Sequence, residues 1–177
     1  YYTTNRTFFD YLKKLIRKKE YFRMKIKIDE IDKKILMLLQ HNSTLTYKEI
    51  AQKINLSLSP VHDRIKRLEQ EGVVEKYVGI LNKKMLGVGL TVFSQVTLIR
   101  QTREVSQIFD IAIKQLPEVV ECNFVSGSFD YLLKIIVADM EAYHNFHQMK
   151  LSTIEGVSLI NSFFVMSEVK STTEILL

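Results

Sequence analysis

Apolar residues recur along the first part of the chain at helical spacing. Ile31, Ile35, Leu38 and Leu39 stand at i, i+4, i+7 and i+8, on one face of a helix that Asp29 can cap with Asp32 at its third position. A second, short helix is predicted to open at Thr46. Thr46 followed three residues later by Glu49 is the pattern in which each side chain satisfies the other's backbone N–H. Ile50, Ala51 and Ile54 then face inward, and the small Ala51 allows close approach of a neighbour. Asn55-Leu56-Ser57 breaks the run; Ser57 is placed to cap a third helix, and Pro60 falls in its first turn, where a missing N–H costs nothing. Val61, Ile65 and Leu68 form the inward stripe of that helix. Ser59, Asp63, Lys66 and Gln70 lie opposite, His62, Arg64 and Arg67 flank the outer face, and Gly72 supplies the stop.

Beyond Gly72 the period changes. Residues 73–81 read as extended and 82–89 as a linker holding one helical turn. Strand-like runs follow at 90–99, 119–125, 129–137 and 157–169, with helical spacing at 103–116, closed by Pro117, and from Asp139 to about residue 151, where Tyr143, Phe146 and Met149 form the inward stripe. Ser126-Gly127-Ser128 is a turn. The predicted fold class is α+β: an N-terminal winged helix-turn-helix domain, then a ferredoxin-like βαββαβ domain. The expected boundaries are a basic N-terminal extension over 1–23, a DNA-binding domain over 24–82, a linker over 83–89 and the second domain over 90–177. In the third strand Tyr131, Leu133 and Ile135 share one face and Leu132 and Ile136 the other, so both faces are apolar. Two helices cover one face only, and the other calls for a second copy of the sheet, giving a homodimer or larger even-numbered assembly.

Two short helices joined by a tight turn, the second basic on its outer side, are a pattern for reading double-stranded DNA. Base edges are read from the N-terminal turns of such a helix and phosphates are held by its cations. Ser57, Ser59, Pro60, His62 and Asp63 are therefore assigned to the groove, and Arg64, Lys66 and Arg67 mainly to the backbone.

Charge adds little to this. The chain of 177 residues has a formal net charge of +5, but residues 1–23 alone carry seven Lys/Arg against two Asp/Glu. Residues 24–82 are nearly balanced, so the case for DNA rests on the local arrangement. One cysteine, Cys122, excludes an internal disulfide and a cysteine-rich zinc site, and its apolar strand suggests a buried structural thiol. His144 and His147 stand at i, i+3 without a carboxylate or cysteine pattern to complete a metal site, so surface histidines are expected and no metal or cofactor. No apolar run reaches the length of a membrane span, and a cytoplasmic protein is expected.

Residues from both halves resemble the Lrp/AsnC, or feast/famine, family of transcription regulators. The likeness runs through Asp29-x-x-Asp32-x-x-Ile35-Leu36, Val61-x-x-Arg64-Ile65-x-x-Leu68-Glu69-x-x-Gly72-Val73-Val74, Glu121-Cys122, Val125-Ser126-Gly127-x-x-Asp130-Tyr131-Leu132-Leu133 and Gly156-Val157. It implies a non-catalytic regulator whose second domain pairs through its sheet, whose dimers assemble further, commonly to an octamer, and whose small-molecule effector, usually an amino acid, binds between dimers. Carried over to this chain, that site takes Ser126, Gly127 and Asp130, with Lys150 and Ser152 placed where an effector side chain would be met. A carboxylate at Asp130 suits an α-ammonium; its alternative role is to accept from nearby turn N–H groups. Thr44, Ser128 and Glu155 depart from residues frequent in that family, and leucine is not inferred as the effector. The rival reading is a sirohaem-decarboxylase-like enzyme on a similar fold.

Overall fold

The computed structural model describes residues 27–177, so the extension expected over 1–23 lies outside the described residues. They form two compact units: residues 27–79 with Thr172–Leu177, and Ile80–Ser171.

The first unit has three helices, α1 (Glu30–His41), α2 (Tyr47–Lys53) and α3 (Leu58–Gln70). Reciprocal caps open the first two, Asp29 with Asp32 and Thr46 with Glu49, as the spacing predicts. Ile35, Leu36, Leu39, Ile50, Ala51, Val61, Ile65 and Leu68 close over one another as the core. The turn between α2 and α3 needs one left-handed residue, and Asn55 takes it with φ 56°. Gly72, at φ 71°, ends α3: its N–H donates to Glu69 O and that of Val73 to Leu68 O. The segment that follows is extended, as expected, and pairs with no strand among the described residues. Tyr77 anchors it, donating its hydroxyl to Glu69 Oε1 at 3.0 Å. The last residues are fastened to α1, where Ile175 N donates to Gln40 Oε1 at 2.8 Å and Ile175 O accepts from Gln40 Nε2 at 3.2 Å.

The second unit runs β1 (Leu90–Leu98), α4 (Arg103–Ile113), β2 (Val119–Phe124), β3 (Tyr131–Val137), α5 (Met140–Phe146), a π-helical turn (His147–Leu151) and β4 (Val157–Phe164). The sheet is antiparallel in the order β2-β3-β1-β4, the ferredoxin-like arrangement expected of βαββαβ. β4 stops at Phe164, short of the predicted residue 169. The wide turn after α5 also alters the expected inward face. It takes one more residue per turn, so Leu151 reaches the core while Met149, expected inward, is 74% exposed. On α4, Phe109 and Ile113 pack inward and Ile108 is turned out.

Alternation along the strands sorts the two sheet faces. Val92, Val96, Leu133, Ile135 and Tyr131 point to the helices and are buried. The ladder pairs Phe93 with Phe163, Thr97 with Leu159 and Thr91 with Ile136, which places these residues on the opposite face with Leu132. No element of the described residues covers that face, and Leu159 and Phe163 are each 52% exposed.

Gly156 leads into β4 with φ 89°, and a Cβ there would lie 2.5 Å from Val105 Cγ1. Gly72 is also left-handed but faces open space. Gly156→Ala is expected to destabilise by about 1–3 kcal/mol through overpacking beyond its backbone strain. Urea unfolding of the two alanine variants should rank Gly156→Ala as the more damaging.

Candidate DNA-reading and effector sites

α3 lies with one flank toward α1 and the other toward α2. On the α2 side, the His62 ring meets Tyr47 edge to face, centroids 5.3 Å apart, and His62 Nδ1 lies 3.2 Å from Asp63 Oδ1. Between the flanks Ser57, Ser59, Pro60, His62 and Asp63 are all exposed, as a groove-reading surface requires. Ser57 occupies the cap position of α3 with extended backbone, but its side chain makes no capping hydrogen bond. Pro60 removes one of its two possible donors: it stands third in the helix, where the caps of α1 and α2 find their N–H, and proline has none. The Ser57 hydroxyl is thus left for another partner. Leu58, which periodicity did not single out, is 53% exposed between Ser57 and Ser59. An apolar side chain on the first turn of a reading helix suits contact with a thymine methyl.

The cations differ from expectation. Arg64 and Arg67, assigned to phosphates from the sequence, turn to α1 instead. Arg64 Nη1 donates to Asp29 Oδ2 at 2.6 Å and to Asp32 Oδ1 at 2.8 Å; Arg67 Nη2 donates to Asp32 Oδ2 at 2.5 Å. Asp32 is 0% exposed, and a carboxylate stripped of water is tolerable only against cations. The backbone N–H of Asp32 and then the Arg64 guanidinium hold the Asp29 carboxyl below its ordinary value, and the hydrogen bonds Arg64 donates to both acids raise its own pKa. Lys66 stays on the outer side but is paired with Glu69 at 3.1 Å, which raises its pKa. Glu69 also receives the Tyr77 hydroxyl, whose pKa burial first and Glu69 second push up to about 12.

In the second unit the residues carried over as an effector site do not all meet. Ser126 and Gly127 are exposed in the turn between β2 and β3. Asp130, expected to face a ligand ammonium, is 2% exposed and engaged: Oδ2 accepts from Leu98 N and Oδ1 from Gln101 Nε2, each at 2.7 Å. Within one chain it braces the turn against the end of β1, the alternative role open to it in the sequence. Lys150 pairs with Glu118 at 2.5 Å. Glu118 directly precedes β2 whereas the turn follows it, so Lys150 and the turn are tied to opposite ends of that strand. Ser152 returns its hydroxyl to Gln148 O at 3.2 Å. Cys122 is exposed rather than buried, because β2 is an edge strand with only Val119 partly covered. Desolvation around its sulfur, then Asp110, push the thiol up to about 11, which leaves it protonated near neutral pH.

Asp130→Ala would leave the buried Leu98 N–H without a partner. The expected cost is about 1–3 kcal/mol, read as a lower melting temperature of the free protein. An unchanged melting temperature would show that the brace contributes nothing and return Asp130 to a ligand-facing role.

Comparison with known proteins covers both units. A family model described as winged helix-turn-helix DNA-binding matches residues 28–75, and one described as the Lrp/AsnC ligand binding domain matches residues 91–175. The chain is 40% identical over 166 residues to the leucine-responsive regulatory protein of Haemophilus influenzae, covering 94% of this chain and 99% of that one. It is 37% identical over 150 residues to the protein of the same name in Escherichia coli, covering 85% and 92%. Among solved structures, a transcriptional regulator of Neisseria meningitidis in complex with L-methionine superposes with a TM-score of 0.82 at 35% identity, covering 85% of this chain and 97% of that one. A feast or famine regulatory protein of Mycobacterium tuberculosis, complexed with L-methionine, gives 0.75 at 26% identity over 84% and 99%. These relatives are regulators, not enzymes, and the decarboxylase reading falls with that. The chain belongs to the Lrp/AsnC family of DNA-binding transcription regulators.

Proposed function

We propose that this regulator is controlled by an amino acid or a closely similar small molecule, and that the ligand acts by changing how paired chains present their α3 helices to double-stranded DNA. The observation that carries the reading is the uncovered face of the sheet. Phe93, Leu132, Ile136, Leu159 and Phe163 form an apolar surface on a unit otherwise able to bury its core, and a second copy of the same sheet is the simplest cover. Pairing two readers matches the two-fold symmetry of an operator. Further association of such dimers to an octamer would juxtapose turns from different chains, bringing an exposed Ser126-Gly127 within reach of a Lys150 or Ser152 that its own chain holds elsewhere. Backbone N–H groups at the glycine suit a carboxylate. The L-methionine in the two regulator complexes supports an amino acid as the class. At the DNA, Ser57, Leu58, Ser59, Pro60, His62 and Asp63 are the reading surface, with Lys66 the outward cation. DNA as the partner sets its place of action in the cytoplasm.

A thermal-shift screen of the amino acids tests the ligand. A cognate effector at about 100 times its Kd stabilises the folded state by about 2.7 kcal/mol, and a flat response to every amino acid would reject the class. The pairing is tested by Ile136→Lys, which puts a second charge beside Lys134 on the open face, next to Phe93. Light scattering should show dissociation toward monomer, and operator affinity should fall by as much as about 10²–10⁴-fold as the two readers are uncoupled. A variant that keeps its assembly would place the interface elsewhere.

A further inference from the structure

The buried acid of the first unit is more than a capping residue. Glu49 completes the cap of α2 from an exposed position. Asp32 completes the cap of α1 by accepting Asp29 N at 3.1 Å, yet it is withdrawn from solvent and takes two guanidiniums from another helix. Arg64 and Arg67 are one helical turn apart on α3, so both reach α1 from the same flank. With Lys66 on Glu69, every Lys and Arg of α3 is met by an acid of its own unit. Cations placed on phosphates supply nearly all the affinity for DNA of arbitrary sequence, and the useful quantity for a regulator is the ratio of specific to non-specific binding.

We propose that Asp32 is a specificity-determining residue of the DNA reader: it holds Arg64 and Arg67 off the phosphate backbone and so keeps binding to arbitrary sequence weak. The two arginines are then positioning residues, which fix α3 against α1. Arg67 is the more loosely held. Its Nε is buried without a partner, while its side chain is 41% exposed, so the loss of one acid suffices to release it. The exposed turns of α3 offer hydroxyls, an imidazole and Leu58 rather than free cations, which fits a surface that reads bases more than it grips charge.

Asp32→Asn keeps the shape and one acceptor oxygen for the cap, removes the charge and replaces the other oxygen with an NH2 that cannot accept from an arginine. In the full-length protein, fluorescence anisotropy on a duplex of arbitrary sequence should show tighter binding. Its salt dependence should be steeper by about 0.9 in log K against log salt for each arginine that reaches a phosphate. Affinity for the tightest duplex selected from a random pool should rise less, so the ratio falls. Equal losses on both duplexes with an unchanged slope would show a merely structural acid and overturn the proposal. Should Asp32→Asn fail to fold, Arg67→Gln decides the matter, since Asp32 keeps Arg64. An unchanged salt slope supports the inward role, and a slope shallower by about 0.9 shows a phosphate contact and overturns it.

Discussion

Asp32 loses its water when the first unit folds, and its carboxylate is then stable only while cations stand against it. Those cations come from α3, and this requirement fixes the rotation of α3 about its own axis. With Arg64 and Arg67 turned to α1 and His62 packed on Tyr47 of α2, the remaining side of the helix must carry Ser59 and Asp63 outward. The apolar stripe of Val61, Ile65 and Leu68 would tolerate some roll of the helix, as apolar contacts are non-directional. Two guanidiniums sharing one carboxylate tolerate far less, because their hydrogen bonds have direction. The buried ion group therefore specifies which residues of α3 face outward more than it adds to stability.

A parallel device operates in the second unit. The turn from Val125 to Asp130 would be a free loop but for the Asp130 carboxylate, which ties it to Leu98 N and Gln101, and Asp130 N, which donates to Val96 O. Ser126 and Gly127 are thereby displayed on a braced turn, and a rigid display would lower the entropy cost of the ligand contact proposed there. In each unit a buried carboxylate orients an exposed surface that carries no strong charge of its own.

Much of this was legible in the sequence. Both reciprocal caps, the inward stripes of the three helices, the stop at Gly72 and the βαββαβ order follow from spacing alone, since each depends on residues close along the chain. What spacing does not carry is which element a flanking side chain meets. Arg64 and Arg67 flank the outer face of α3 on a helical wheel, and only the position of α1 turns them inward; the pairing of two acids at i, i+3 with two arginines at i, i+3 was present as residues but not as a contact. The partners of Asp130 were hidden for the same reason, lying on β1 and just beyond it. Met149 was misread because a single π-helical turn shifts the helical register, and the sequence has no sign of it. The weak cap at Ser57 had a sign in the sequence, since Pro60 removes one of the two N–H groups that such a cap can use.

The near neutrality of the reading surface bears on why the fold carries an uncovered sheet at all. A reader whose cations are committed internally gains little from the general attraction of the phosphate backbone, so one copy holds DNA weakly at physiological salt. On the proposed pairing, two copies joined through Phe93, Ile136 and Phe163 would convert the second encounter into an intramolecular one, and affinity would then rise steeply for sites with two correctly spaced halves and hardly at all for sites with one. Weak single readers make the assembly, rather than the helix, the quantity that decides occupancy. A ligand that changes the spacing or number of paired chains can then control DNA binding without touching α3, needing only a different affinity for the two assemblies.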